Sequence, residues 1–274
     1  MMKKNKSLLL SGPYILWMLV FTLIPLGVVG YYALTDPATG AFTWQNLLDL
    51  GMFLPTLGTS VWYSLVSAFI CLLLGYPVAY FIAHRGPTAQ KLLYMLVMLP
   101  MCMSFLLRTL AWVGLLETNG IINQFLKLLG IGSVTMIGTP GAVILGMVYN
   151  YLPYMILPLY AIIVKIDNRL IEAAEDLGCT PVQVFSKVVL PLSMPGILSG
   201  ITMVFVPAVS TFYISQKLGG TDTMLIGDVI ERQFKSAGNP NLGAALSLVL
   251  MLLVFICTGI MNRFGSDEEG GVVV

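Results

Sequence analysis

The sequence predicts an all-α integral membrane protein, six transmembrane helices with a helix-turn-helix hairpin set between the fourth and the fifth. Three observations carry that expectation. Of the 274 residues, 57% are hydrophobic and 10% charged, whereas soluble domains carry about a quarter charged residues; the chain has too little polar surface to face water on all sides. Six apolar stretches recur, each of roughly 20 residues, the length a helix needs to cross about 30 Å of hydrocarbon. Residues 172–197, "EAAEDLGCTPVQVFSKVVLPLSMPGI", interrupt them with Glu172, Glu175 and Asp176 and with Pro181, Pro191 and Pro195. The mean hydropathy of +0.89 fits a bilayer protein, and a net charge of +1 gives no sign of a nucleic-acid partner.

The first stretch, 12–33, follows the basic start "MMKKNKSLLL". It exceeds the length of a signal-peptide core and lacks an A-x-A cleavage site, so it reads as an uncleaved first crossing. The second covers 60–83 and ends on His84-Arg85, the only histidine of the chain. With no nucleophile and base to pair, the chain does not read as an enzyme. The third, 92–116, contains Arg108 about 16 residues in, hence roughly 24 Å from its inner end. A charge at that depth snorkels or pairs with a carbonyl, or serves a gate or an interface. Glu117, just beyond the crossing, is a candidate partner for it.

The fourth stretch, 140–164, carries "YNYLPYMILPLY". Asn150 and Tyr154 sit near mid-membrane beside Pro153 and Pro158, which remove main-chain donors and free carbonyls. These residues suit either a cavity that passes an amine or hydrogen bonding between helices. In the hairpin, Leu170, Ala173, Ala174 and Leu177 recur at spacings of three and four. They form an apolar stripe on a short helix whose other face is acidic. Gly178 ends that helix, and Thr180-Pro181 starts a second by capping and Pro at the first position.

The fifth stretch, 195–215, ends in "PAVSTFYISQ". Its Phe212 and Tyr213 are candidates for a gate contacting a passing cation, worth roughly 0.5–2 kcal/mol by cation–π attraction, or else belong to an interfacial aromatic belt. The sixth covers 242–262, and "SDEEGGVVV" reads as a solvated tail. Cys71, Cys102, Cys179 and Cys257 stand singly, which points to packing, not to a metal site or a disulfide.

Lys and Arg set the orientation. Lys3, Lys4, Lys6, Arg85, Lys91, Lys165, Arg169, Lys187 and Arg263 fall on one side, against Lys127, Lys217, Arg232 and Lys235 on the other. The positive-inside rule then puts both termini and the hairpin in the cytoplasm.

The run Glu172-Ala173-Ala174, Gly178, Val188, Leu190-Pro191 resembles the EAA loop of permease subunits of ATP-binding-cassette (ABC) importers, with Val188 at a position that is often Ile. The blocks "SFLLRTLAWVGLLETNGIIN", "VYNYLPYMILPLYAIIVKID" and "STFYISQKLGGTDTMLIGDVIERQF" are similar to the spermidine/putrescine branch of those permeases. The resemblance implies the type I ABC importer permease fold: one transmembrane domain over 1–274, with a family core at about 60–262 and a coupling loop at about 167–195. It also implies residence in the bacterial inner membrane, and a coupling role for Glu172, Ala173, Ala174, Gly178, Leu190 and Pro191 at a cytoplasmic ATPase. The partners implied are a related second permease forming a heterodimer, two ATPase copies that bind ATP and Mg, and an extracytoplasmic solute-binding protein. No cofactor is expected on this chain, and no G-x-x-x-x-G-K-[ST] loop occurs in it. Gln216 and Lys217 depart from the acidic residue often found there in polyamine permeases, so another small organic solute stays open. A secondary transporter is the rival class; it would place acids, His or Lys at the midplane, where the crossings hold almost none.

Overall fold

The structure, a computed structural model, describes residues 14–37, 39–130, 132–220 and 223–269. Lys3, Lys4, Lys6, Asp222 and residues 270–274 of the tail lie outside the described residues. The described chain is helical except for turns and one isolated bridge, Thr35 to Phe42. Its main helices are α1 (Tyr14–Ala33), α2 (Leu54–Ala83), α3 (Pro87–Met98), α4 (Phe105–Leu116), α5 (Ile121–Leu128), α6 (Pro140–Ile163), α7 (Asn168–Asp176), α8 (Pro181–Leu192), α9 (Met194–Val209), α10 (Tyr213–Leu218), α11 (Ile226–Lys235) and α12 (Pro240–Glu269). Among the described residues, five spans are long and apolar enough to cross a membrane, or six when α8 and α9, bent by 64° at Ser193, count as one.

Two expected crossings are not single helices. The stretch 92–116 is divided, because Pro100 lacks an amide hydrogen and leads a 3₁₀ turn (Leu99–Cys102), after which Met103 is extended. The stretch 195–215 stops at Val209. Pro207 withdraws a donor there, and the Ser210 hydroxyl turns back onto the carbonyls of Val206 and Pro207. The chain becomes helical again only at Tyr213. At its other end, α12 runs on to Glu269 through the first part of the predicted tail.

The chain divides into two compact units. In the first, Met1–Leu54 with Val229–Leu253, the small residues Ala33, Ala244 and Ala245 let backbones come close. Beside them Asn46 Nδ2 donates to the carbonyls of Ala33 and Thr35, and Asn241 Nδ2 donates to Thr35 O at 2.6 Å. Side chains 14–28 of α1 are all exposed, the condition of a helix that meets lipid or another chain.

The second unit, Pro55–Asp228 with Val254–Val274, is built on α6 and α9. They run antiparallel, and small residues set their register. A Cβ on Gly196 would lie 3.1 Å from Ile162 Cγ1, and one on Gly200 2.6 Å from Met155 Sδ. Farther along, Tyr151 donates its hydroxyl to Pro207 O at 3.3 Å. Gly196 and Gly200 are four apart, so both face α6, the small-xxx-small arrangement that allows close helix approach in a membrane. Met147, Met155 and Leu159 of α6 are wholly buried in the core that results.

Candidate coupling hairpin and translocation site

The hairpin 167–195 is fixed at each of its turns. Asp167 caps α7, its carboxylate accepting from Arg169 N at 3.0 Å. At the other end Cys179 N donates to Ala174 O and Gly178 N to Glu175 O, the paired bonds of a Schellman motif, with Gly178 at φ +81°. Thr180 and Gln183 then form a reciprocal capping box at the start of α8. Both helix boundaries therefore follow the residues that predicted them.

The sequence's apolar stripe is a bare surface. Leu170 is 49% exposed and Leu177 85%, and Ala173 is exposed with them, as are Glu172, Glu175, Asp176 and Gly178; Ala174 is half-buried. An uncovered leucine at a helix end, beside acids and above a glycine turn, is what a groove in another protein can take up. Behind this surface, α8 is tied into the second unit. Val184 and Val189 are buried, and Leu190 packs against the core while Pro191 stays exposed. The Phe185 ring meets Tyr76 and Tyr80 of α2 edge-on at 5.4 and 6.1 Å. Tyr76 and Ser193 share a hydroxyl hydrogen bond of 2.7 Å at the 64° bend. A pull on α7 thus has a route into α2 and α9. Sequence reasoning missed Tyr76, Phe185 and Ser193, because their contacts join positions far apart in the chain and no local pattern marks them.

The other candidates meet where α4, α6 and the α9–α10 break come together. Phe105, Arg108 and Trp112 lie on one face of α4, at spacings of three and four. The Phe105 ring is 6.3 Å from Tyr213 and the Trp112 ring 5.3 Å from Tyr149. Between these ring contacts, Arg108 is buried to 7% exposure, and among the described residues its Nε and Nη1 have no hydrogen-bond partner. Glu117 does not supply one: it is exposed at the C-terminal cap of α4, nine residues on, about 13 Å away along the axis. Asn150 is wholly buried; Nδ2 donates to Gly146 O at 2.9 Å and Oδ1 is unpartnered. One helical turn on, Tyr154 stands half-buried, 6.3 Å ring to ring from Tyr151. Phe212 lies in the break itself, 40% exposed. Lys217 holds its ammonium 5.9 Å from the Tyr213 ring. Unpaired donors and an unpaired acceptor inside a membrane domain are costly unless another molecule meets them.

Residues 72–266 match the family model described as "Binding-protein-dependent transport system inner membrane component". The chain belongs to this family. Among its relatives, the spermidine/putrescine transport system permease protein PotB of Haemophilus influenzae is 40% identical over 253 residues, 88% of each chain. The protein of the same name from Escherichia coli is 38% identical over 248 residues, 87% of this chain and 90% of that one. Among solved structures, a bacterial ABC transporter that imports the polysaccharide alginate superposes with a TM-score of 0.76 over 96% of both chains at 18% identity. A second structure of an alginate transporter, in complex with its pentasaccharide-bound periplasmic protein, gives 0.75 over 95% of this chain and 94% of that one, again at 18% identity. The fold is that of a type I ABC importer permease. As an inner membrane transport component, the chain has its helix-turn-helix within the matched region and its α4–α6–α9 cluster inside the membrane domain.

Proposed function

We propose that this chain is the membrane-spanning permease subunit of an ATP-driven importer and passes polyamines, spermidine or putrescine, handed over by a solute-binding protein. The observation that carries the reading is the exposed Leu170–Ala173–Leu177 face, held between a Schellman turn and a capping box, on a chain with no phosphate-binding loop. The energy source is separate and docks there: two copies of a cytoplasmic ATPase carrying ATP and Mg, one on this hairpin and one on a related second permease. Both termini and the hairpin face the cytoplasm, and the whole chain acts as one permease domain. Glu172, Ala173, Ala174 and Gly178 form the docking surface, and Leu190 and Pro191 carry its motion into α9.

Closure of the ATPase pair would draw α7 along. Through Phe185 and the Tyr76–Ser193 hydrogen bond, α2 and α9 would shift, opening the path to the outside. Asn150 Oδ1 is an unoccupied acceptor for an ammonium N–H, Tyr154 borders it, and Phe212 in the helix break is the free aromatic face of a gate. The alternative substrate class, another small organic solute, is favoured by Lys217, whose charge beside Tyr213 opposes a polycation.

The test is reconstitution of the subunit with its second permease, ATPase and solute-binding protein in vesicles. Spermidine- and putrescine-stimulated ATP hydrolysis and uptake are expected, with amino acids and sugars inert. ATP-driven uptake of one of those instead would keep the permease and discard the polyamine. Uptake without the ATPase would make the chain a secondary transporter.

A further inference from the structure

A cavity of about 580 Å³ opens where α2 and α6 end and α7 begins, lined among others by His84, Arg85, Gln90, Lys165, Asp167 and Ile171. The α2 end of its wall is held in place. Gln90 Nε2 donates to the carbonyls of Ala83 and Arg85 at 2.9 and 2.8 Å, which closes the turn carrying His84 and Arg85. The Arg85 guanidinium lies 4.0 Å over the Phe81 ring. His84 stacks on Tyr80 at 4.1 Å, and its Nδ1 is 2.9 Å from the Tyr80 carbonyl, an acceptor, so Nδ1 carries the proton and Nε2 remains unengaged. The one lining carboxylate, Asp167, is turned toward its own helix, accepting from Arg169 N. The lining therefore brings two cationic side chains, Arg85 and Lys165, to a space too large for a single carboxylate. It lies at the level where two crossings leave the hydrocarbon. Val164 in its lining, 38% exposed, and Phe81, one helical turn before Arg85 and 50% exposed, offer an apolar surface to acyl chains.

We propose that this cavity is a phosphate-group site, filled by the headgroup of an anionic phospholipid with its chains along Phe81 and Val164. Ile171 and Asn168 of α7 form part of its wall, so an occupant braces the base of the hairpin. That this leaflet is the cytoplasmic one, and that bracing bears on coupling, rests on the function proposed above; the binding itself does not.

The assembled importer is placed in nanodiscs of phosphatidylcholine with and without phosphatidylglycerol, and retained lipid is counted by native mass spectrometry, alongside an Arg85→Gln, Lys165→Gln form. Phosphatidylglycerol retention is expected in the unaltered complex, about fivefold weaker for each cation removed. Displacement of that lipid by inorganic phosphate would support the site with a soluble occupant. Equal retention in both forms overturns it. Spermidine-stimulated ATP hydrolysis is read in both kinds of disc. Its presence with unchanged lipid retention sinks the site alone, whereas its absence from discs that do retain phosphatidylglycerol sinks the coupling reading alone.

Discussion

In the proposed path Lys217 competes with the passing solute for the Tyr213 ring, since its ammonium stands 5.9 Å from the ring centre. Lys217→Gln removes a competing cation from the aromatic face and a like charge from the approach. The apparent KM for spermidine is expected to fall about two- to fivefold, the factor that roughly 0.5–1 kcal/mol gives, with the maximal rate of hydrolysis unchanged. Uptake titrations read this directly, and an unchanged KM would take Tyr213 out of the cation path. Tyr76 is the second residue with a sharp expectation. Its 2.7 Å bond to Ser193 ties α2 to the α8–α9 bend. Tyr76→Phe removes about 1 kcal/mol and leaves the Phe185 ring contact in place. More ATP hydrolysed per spermidine imported is expected, with assembly intact on size-exclusion chromatography. A normal ratio would show that the bend needs no such tie. Arg108 was visible as a charge in an apolar run, but its missing partner was not: only the folded neighbours reveal that Nε and Nη1 meet no acceptor.

At the scale of elements, local chemistry was readable and long-range chemistry was not. Gly178 and the Thr180-Pro181 pair announced the hairpin's two turns, because caps and left-handed glycines are decided by residues within one helical turn. The splitting of the third and fifth stretches escaped, though Pro100 and Pro207 were in plain view. Hydropathy measures how apolar a window is, and a bent or interrupted helix is as apolar as a straight one. The Gly196–Gly200 pair was equally legible and went unread; its spacing of four in an apolar run was signal enough. Two expectations belong here. Gly178→Ala forces a Cβ into φ +81° and costs roughly 1–2 kcal/mol, so the hairpin should fray and lose ATPase in pull-down assays, while Gly58→Ala, in open space on α2, should not. Gly200→Leu drives side-chain carbon into Met155, overpacking worth about 1–3 kcal/mol. A lower melting temperature for the purified complex is expected, and an unshifted one would mean that α6 and α9 do not pack as described.

For the whole molecule the decisive question is which side of the bilayer the hairpin occupies, since the charge count that orients it includes Lys3, Lys4 and Lys6, which lie outside the described residues. The chain carries its own reporter. Cys179 is half-exposed at the turn between α7 and α8, whereas Cys71 is buried and Cys257 lies half-buried within the apolar α12. With the exposed Cys102 and both helix cysteines replaced by serine, Cys179 is the single thiol. A membrane-impermeant maleimide should label it in inverted vesicles stripped of the ATPase and leave it unlabelled in intact spheroplasts. Adding the ATPase back should protect it, because the residue sits between the exposed Leu177 and Val182, 85% and 75% exposed, which a docking groove would cover. Labelling from the outside would invert the topology, and with it the polarity assigned to the coupling hairpin and the gate. Labelling from the inside without protection would keep the topology and move the docking surface off this turn, toward Leu170 at the other end of α7.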